Sequence, residues 1–202
     1  MSAVKTTNAV TTVSLMGVGG QGILLAASII AETASAAGLR VKTSEVHGMA
    51  QRGGSVLSTV RFGAQVFSPV ARRADLVIAT ELLEGHRGLG LLAPEGALVC
   101  AVSTRILPGA VLRREEPYPE DLHAAAAARG VRLIAVDAEA LARAAGTLRA
   151  VNVALLGAAS AVLPFSAESW QRGLTAAVPA KILAVNERAF ALGRGAVAGE
   201  DA

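Results

Sequence analysis

The sequence predicts an α/β fold: a single Rossmann-like layered domain with a mostly parallel sheet, a hairpin insertion and a helical C-terminal section. It takes in residues 1–202, with a core at about 12–194. Three observations carry the prediction. Short apolar runs alternate with stretches of helical periodicity, the pattern of a sheet with helices on both faces. The glycine-rich stretch Gly17-Val-Gly-Gly-Gln-Gly22 directly follows one such run, at 13–16, and glycines there let a chain turn tightly from a strand into a helix. Residues 151–163 are apolar almost all round, so a helix there must be covered on every side. The pattern does not force the six-strand dinucleotide-binding order.

Element by element, residues 11–16 read as a buried strand and 21–37 as a helix, with Ile23, Ala26, Ala27, Ile30 and Ala34 on one face and Ser28, Glu32 and Ser35 opposite. Gly38 is a C-terminal stop, and 39–46 reads as a second strand. Residues 55–61 and 65–68 read as two short strands of a hairpin around Phe62-Gly-Ala64. A short strand at 76–79 leads to a helix over 81–92, where Glu81 and Glu84 suit the positive end of the helix dipole. Then come a buried strand at 97–102, a helix over 119–129 stopped by Gly130, and a strand at 131–136. Asp137 caps a helix running to about 145, and helices over 151–163, 166–176 and 181–192 complete the chain.

The bulk numbers favour a subunit over a free monomer. Of 202 residues, 52% are hydrophobic and 17% charged, and the mean hydropathy is +0.49. That leaves apolar surface for a partner to cover. The net charge is +3, but the basic residues are dispersed and six residues are aromatic. A nucleic-acid footprint needs clustered cations on one face, so no nucleic-acid partner is expected. Residues 1–8 lack the apolar core of a signal peptide, and the longest apolar run, 151–165, is too short to span a bilayer. No membrane association and a cytoplasmic location are therefore expected. The one cysteine, Cys100, lies in an apolar strand and reads as a small core residue.

The stretch 17–22 fits Gly-x-Gly-x-x-Gly, and Glu45 stands about where a ribose-binding acid would be. Read alone, that says nucleotide. A second block argues against it: Glu45-Val-His-Gly-Met-Ala-Gln-Arg-Gly-Gly54 puts a dense glycine-rich segment where a cofactor-binding strand passes to an ordinary loop.

Taken together, these two blocks resemble the gamma-type subunit or domain of the 2-oxoacid:ferredoxin oxidoreductases, most closely the beta subunit of the indolepyruvate branch. The likeness continues through Asp75-Leu-Val-Ile-Ala-Thr-Glu81, Glu84, Arg87 and Tyr118-Pro119. It resumes at Asn152, Leu155-Leu-Gly-Ala158, Asn186, Ala189-Phe190 and Gly193. It covers about residues 12–194, nearly the whole chain. The resemblance implies oxidative decarboxylation of a 2-oxo acid, indolepyruvate or another arylpyruvate, to the aryl-acetyl-CoA with reduction of ferredoxin.

That chemistry needs thiamine diphosphate with magnesium as the electron sink, and iron–sulfur clusters to carry single electrons. One cysteine cannot hold a cluster, which takes about four thiolates. The Gly-Asp-Gly and Asn-Asn signature of a thiamine site is missing as well. No cofactor is therefore expected in this chain. Thiamine diphosphate, magnesium and iron–sulfur clusters are expected in a large alpha subunit, ferredoxin is met through the complex, and coenzyme A is a candidate ligand at the interface. The chain is expected to be inactive alone. Two alternatives stay open: a stand-alone NAD- or FAD-binding Rossmann oxidoreductase, and the gamma subunit of a pyruvate or 2-oxoglutarate ferredoxin oxidoreductase.

No residue is singled out as catalytic or metal-binding. Gly17, Gly19, Gly20, Gln21 and Gly22 either offer backbone N–H groups to a phosphate, such as that of coenzyme A, or only permit close strand–helix packing. Gln21 either adds an amide contact or begins the helix. His47, Gly48, Gln51, Arg52, Gly53 and Gly54 either hold a loop against the partner or contact substrate, thiamine or coenzyme A. There a histidine supplies a group titrating near neutrality and an arginine a planar fork for carboxylate or phosphate. Asn152 and Asn186 read as caps or buried hydrogen-bond hubs, and His86 and His123 carry no role.

Overall fold

The six strands are β1 (Thr11–Val18), β2 (Arg40–His47), β3 (Ser55–Gly63), β4 (Ala74–Ala79), β5 (Leu92–Ala101) and β6 (Arg132–Val136). In the computed structural model, which describes residues 9–48, 54–107, 112, 117–119 and 121–198, they form one sheet in the order β2-β3-β1-β4-β5-β6. β1, β4, β5 and β6 pair in parallel. β3 runs antiparallel to both its neighbours, β2 and β1.

This corrects one expectation. No strand forms at 65–68; β3 instead continues through Phe62-Gly63 and pairs along its full length on both sides. The antiparallel connection is made one element earlier, between β2 and β3. β3 alternates Val56, Ser58, Val60 and Phe62 onto one buried face, so it fits between two strands. The stretch from Gln65 to Ser68 leaves Phe67 exposed and has no second partner to hold it.

Alternation along the strands sorts the core into two layers. Val13, Leu15, Val60, Phe62, Ile78 and Val99 point to one face. They are covered by α1 (Ile23–Ala36), α4 (Ala138–Ala145), α5 (Val151–Ala159), α6 (Ala167–Ala177) and α7 (Ala180–Ala198). Met16, Val77, Leu98 and Cys100 point to the other face, beneath α2 (Leu82–Gly88) and α3 (Leu122–Ala127). The all-round apolar stretch behaves as expected: every residue of α5 from Asn152 to Ala159 is buried. It crosses α7 so closely that a Cβ on Gly157 would collide with the carbonyl oxygen of Phe190 and come within 2.9 Å of Arg194 N.

Helix ends differ from the sequence reading for local reasons. α1 begins at Ile23 because Gln21 N donates to Val18 O, and Gly22 takes a left-handed φ of 73°. It ends at Ala36 and is stopped by Gly38, φ 79°, whose N–H reaches Ser35 O while Leu39 N reaches Ala34 O. α2 stops at Gly88 rather than near 92, because the chain turns to join the sheet where Ala74 N donates to Leu91 O. α3 starts at Leu122, with the Asp121 carboxylate accepting from Ala124 N. Asp137 caps α4 as expected, accepting from Ala140 N.

Candidate functional site

β1 passes through α1 to one half of the sheet, and β4 passes through α2 to the other. The ends of β1 and β4 are adjacent, with Thr80 N donating to Met16 O at 2.9 Å. Open α/β sheets bind ligands in the crevice at the carboxyl ends of their strands, where the direction of winding reverses. Gln21 spans this crevice. Its Oε1 accepts from Val18 N at 2.7 Å and from Thr80 Oγ1 at 2.8 Å, and its Nε2 donates to Thr80 O at 3.2 Å. Its amide therefore fastens the glycine loop to the end of β4, and it precedes the helix.

The glycines divide into two kinds. A Cβ on Gly17 would collide with Thr80 Oγ1 and lie 2.6 Å from Ile23 Cδ1; one on Gly22 would lie 2.5 Å from Asn152 Nδ2. These two are required by packing. Asn152, 2% exposed, is the hub expected of it: its Nδ2 donates to Gly22 O and its Oδ1 accepts from Val153 N. Gly19 and Gly20 are exposed, and no side chain caps α1. A helix start of this kind favours an anion through its N–H groups.

The two blocks picked out in the sequence come together. Gly19 N donates to Gly54 O at 3.0 Å, and Gly48 N donates to Ser55 O at 2.9 Å. The exposed His47 ends β2, its Nε2 lying 3.7 Å from a carboxylate oxygen of Glu45. Gln51, Arg52 and Gly53 lie outside the described residues.

A second polar layer braces this edge. Ser55 Oγ donates to Glu84 Oε2 at 2.9 Å, and Arg87 Nη1 donates to Glu84 Oε1 at 2.5 Å. Glu81 caps α2, accepting from Glu84 N at 2.6 Å and Leu83 N at 3.1 Å, and Tyr118 Oη donates to it at 2.7 Å. Both carboxylates are buried, and this pairing is what makes their burial tolerable. Both stand at the helix start, where the sequence reading placed them, and these bonds add to the dipole role. Burial, the hydrogen bond to Glu81 and its charge all push the Tyr118 hydroxyl up. Burial first, then Glu81, raises the Cys100 thiol to about 12. His86 is pulled below its ordinary value by burial, against the opposing pull of Asp121 and Glu81.

Sequence reading missed Ser55 and Thr80. Nothing local marks a hydroxyl as the partner of a glutamate 29 residues away or of a glutamine 59 away. Among the described residues no group of three or more His, Cys, Asp or Glu gathers to hold a metal ion, and no helix is long and apolar enough to cross a membrane.

The family model for pyruvate ferredoxin/flavodoxin oxidoreductase matches residues 12–196. The chain is 38% identical, over 193 residues, to the indolepyruvate oxidoreductase subunit IorB of Thermococcus kodakarensis, covering 89% of this chain and 92% of that one. Its fold matches the gamma subunit of a keto/oxoacid ferredoxin oxidoreductase from Geobacter sulfurreducens at a TM-score of 0.69 and 23% identity, over 94% of this chain and 99% of that one. It also matches the 2-oxoglutarate:ferredoxin oxidoreductase of Magnetococcus marinus, solved with 2-oxoglutarate, coenzyme A and succinyl-CoA bound. There the TM-score is 0.73 at 21% identity, over 94% of this chain but 31% of that longer one.

Proposed function

The chain belongs to the pyruvate ferredoxin/flavodoxin oxidoreductase family, and on that premise we propose that it is the cofactor-free subunit of a 2-oxoacid:ferredoxin oxidoreductase acting on indolepyruvate or another arylpyruvate. The observation that carries the substrate is the end-to-end likeness to an indolepyruvate oxidoreductase subunit, 38% identical over 89% of the chain. A large partner chain supplies thiamine diphosphate, magnesium and iron–sulfur clusters, which decarboxylate the 2-oxo acid and pass its electrons to ferredoxin.

The local geometry supports a contributing role. The joined loops carry exposed backbone at Gly19, Gly20 and Gly48 and an exposed His47. The Ser55 hydroxyl there is held by Glu84, itself bonded to Arg87, as part of the brace, and the exposed edge suits completion by another chain. We assign His47 and Arg52 to contact with that chain or with an anionic group of coenzyme A, and the 17–22 turn to the same interface.

The dinucleotide reading loses support in two places. The Gly19 N–H that would face a pyrophosphate is engaged by Gly54 O. Glu45 lies on β2, which β3 separates from β1, so the acid is not beside the glycine turn as a ribose-binding acid must be.

The test is to purify the chain alone and with its large partner, then follow reduction of a viologen dye dependent on 2-oxo acid and coenzyme A. The isolated chain should be inactive, and the complex should turn over indolepyruvate faster than pyruvate or 2-oxoglutarate. Turnover by the isolated chain, or micromolar binding of NAD or FAD to it in a calorimetric titration, would overturn this reading. A preference for pyruvate would reassign the substrate.

A further inference from the structure

β2 is an edge strand paired on one side alone, to β3, in unbroken register from Arg40 opposite Gly63 to His47 opposite Val56. It contains no proline and no bulge. A long regular edge leaves a row of backbone N–H and C=O groups free and is normally blunted or covered. On the sheet face opposite α1 no helix covers β2: α2 and α3 pack on β1, β4, β5 and β6.

Apolar side chains are exposed along β2 and in the segment after β3: Val46 at 61%, Phe67 at 81% and Val70 at 70%. The segment bearing the last two is tied to the sheet, with Arg61 Nη1 donating to Ser68 O and Val70 O and Ser44 Oγ to Pro69 O. At the start of β2, an open groove of about 480 Å³ is lined by Arg40, Val41, Lys42, Val66 and Phe67 among others. The charge at the start of β2 is one-sided. Arg61 bonds backbone carbonyls, and Arg40 and Lys42 are in no ion pair among the described residues. The one acid on β2, Glu45, stands beside His47.

We propose that the free edge of β2 and its groove dock an extended, acidic segment of the larger subunit, which adds to the sheet as a seventh strand. Backbone hydrogen bonds to an edge give such a joint its affinity, and side-chain pockets give it selectivity. The uncompensated Arg40 and Lys42 select carboxylates, and Phe67 and Val41 take an apolar side chain between them. The docking strip rests on the subunit reading above; its groove is at the start of β2, at the other end of the strand from His47.

The test uses the full chain and the co-expressed large subunit. Arg40→Glu with Lys42→Glu, and Phe67→Asp separately, change exposed side chains, so circular dichroism and melting of the isolated chain should match the parent. Each variant should weaken association by about tenfold or more, and the charge reversal should also flatten its dependence on salt. Hydrogen exchange should show β2 amides protected in the complex and open in the isolated chain. Parental affinity in both variants, or β2 amides exchanging equally in both states, overturns the docking strip alone. Failure of the parent chain to bind the large subunit overturns the subunit reading, and the strip with it.

Discussion

Gln21 and Cys100 show how far single residues can be read. A glutamine after a glycine pair looked like a ligand contact or a helix start. Its amide in fact closes the turn, because Val18 N and Thr80 Oγ1 both need an acceptor at the strand ends. Cys100 was legible from its apolar neighbours and is fully buried, its thiol raised from 9.0 to about 12. The folded state therefore holds that proton more tightly than the unfolded chain does. The stability this contributes is fully present below pH 9.0 and is lost as pH rises toward about 12. Cys100→Ala should flatten the decline of unfolding free energy over that window in pH-resolved urea titrations, leaving the share of Tyr118, which has the same sign. The native thiol should also resist iodoacetamide at pH 8 until urea unfolds the chain; rapid native alkylation would contradict the burial.

At the scale of elements, periodicity found the strands and helices but not their partners. The 3.6-residue pattern of α1 and the all-round apolar α5 were readable because burial imprints itself on composition. Residues 65–68 alternate well enough for a strand, yet the place beside β3 is taken by β1 and β2. The α5–α7 crossing makes a sharp test. Gly157→Ala or Gly193→Ala drives a methyl group into the facing backbone, which should cost about 1–3 kcal/mol. That outweighs the gain of about 1 kcal/mol in helix propensity. Gly195→Ala in the same α7 has nothing within 4 Å of its new methyl and should be neutral or slightly stabilising. Urea midpoints of the three variants decide the matter, and equal effects would refute the close crossing.

At the scale of the molecule, the two glycine blocks act as one edge, and Arg52 is the side chain best suited to test it. It lies outside the described residues, and an arginine is too costly to bury without an anionic or carbonyl partner. Arg52→Ala should lower kcat/KM of the assembled complex by about tenfold, equivalent to about 1.4 kcal/mol. Arg52→Lys should recover part of that, since the ammonium keeps the charge but not the bidentate fork. Size-exclusion chromatography separates the routes: loss of assembly marks an interface contact, and an intact complex with a raised KM marks a ligand contact. A variant that assembles and turns over like the parent removes the 47–54 block from the site.

The sequence by itself determined the layered α/β class, the membership carried by the 17–22 and 47–54 blocks, and the incapacity of a chain with one cysteine to carry an iron–sulfur cluster. Those follow from local composition and from counting ligands. Tertiary structure alone decided that β3 would enter the sheet antiparallel between β2 and β1, that Gly19 would donate to Gly54, and that Ser55 would meet Glu84. Each of these is a pairing between groups far apart in the chain, chosen by which donor and acceptor the closed core leaves facing each other. No local pattern in the sequence encodes that choice.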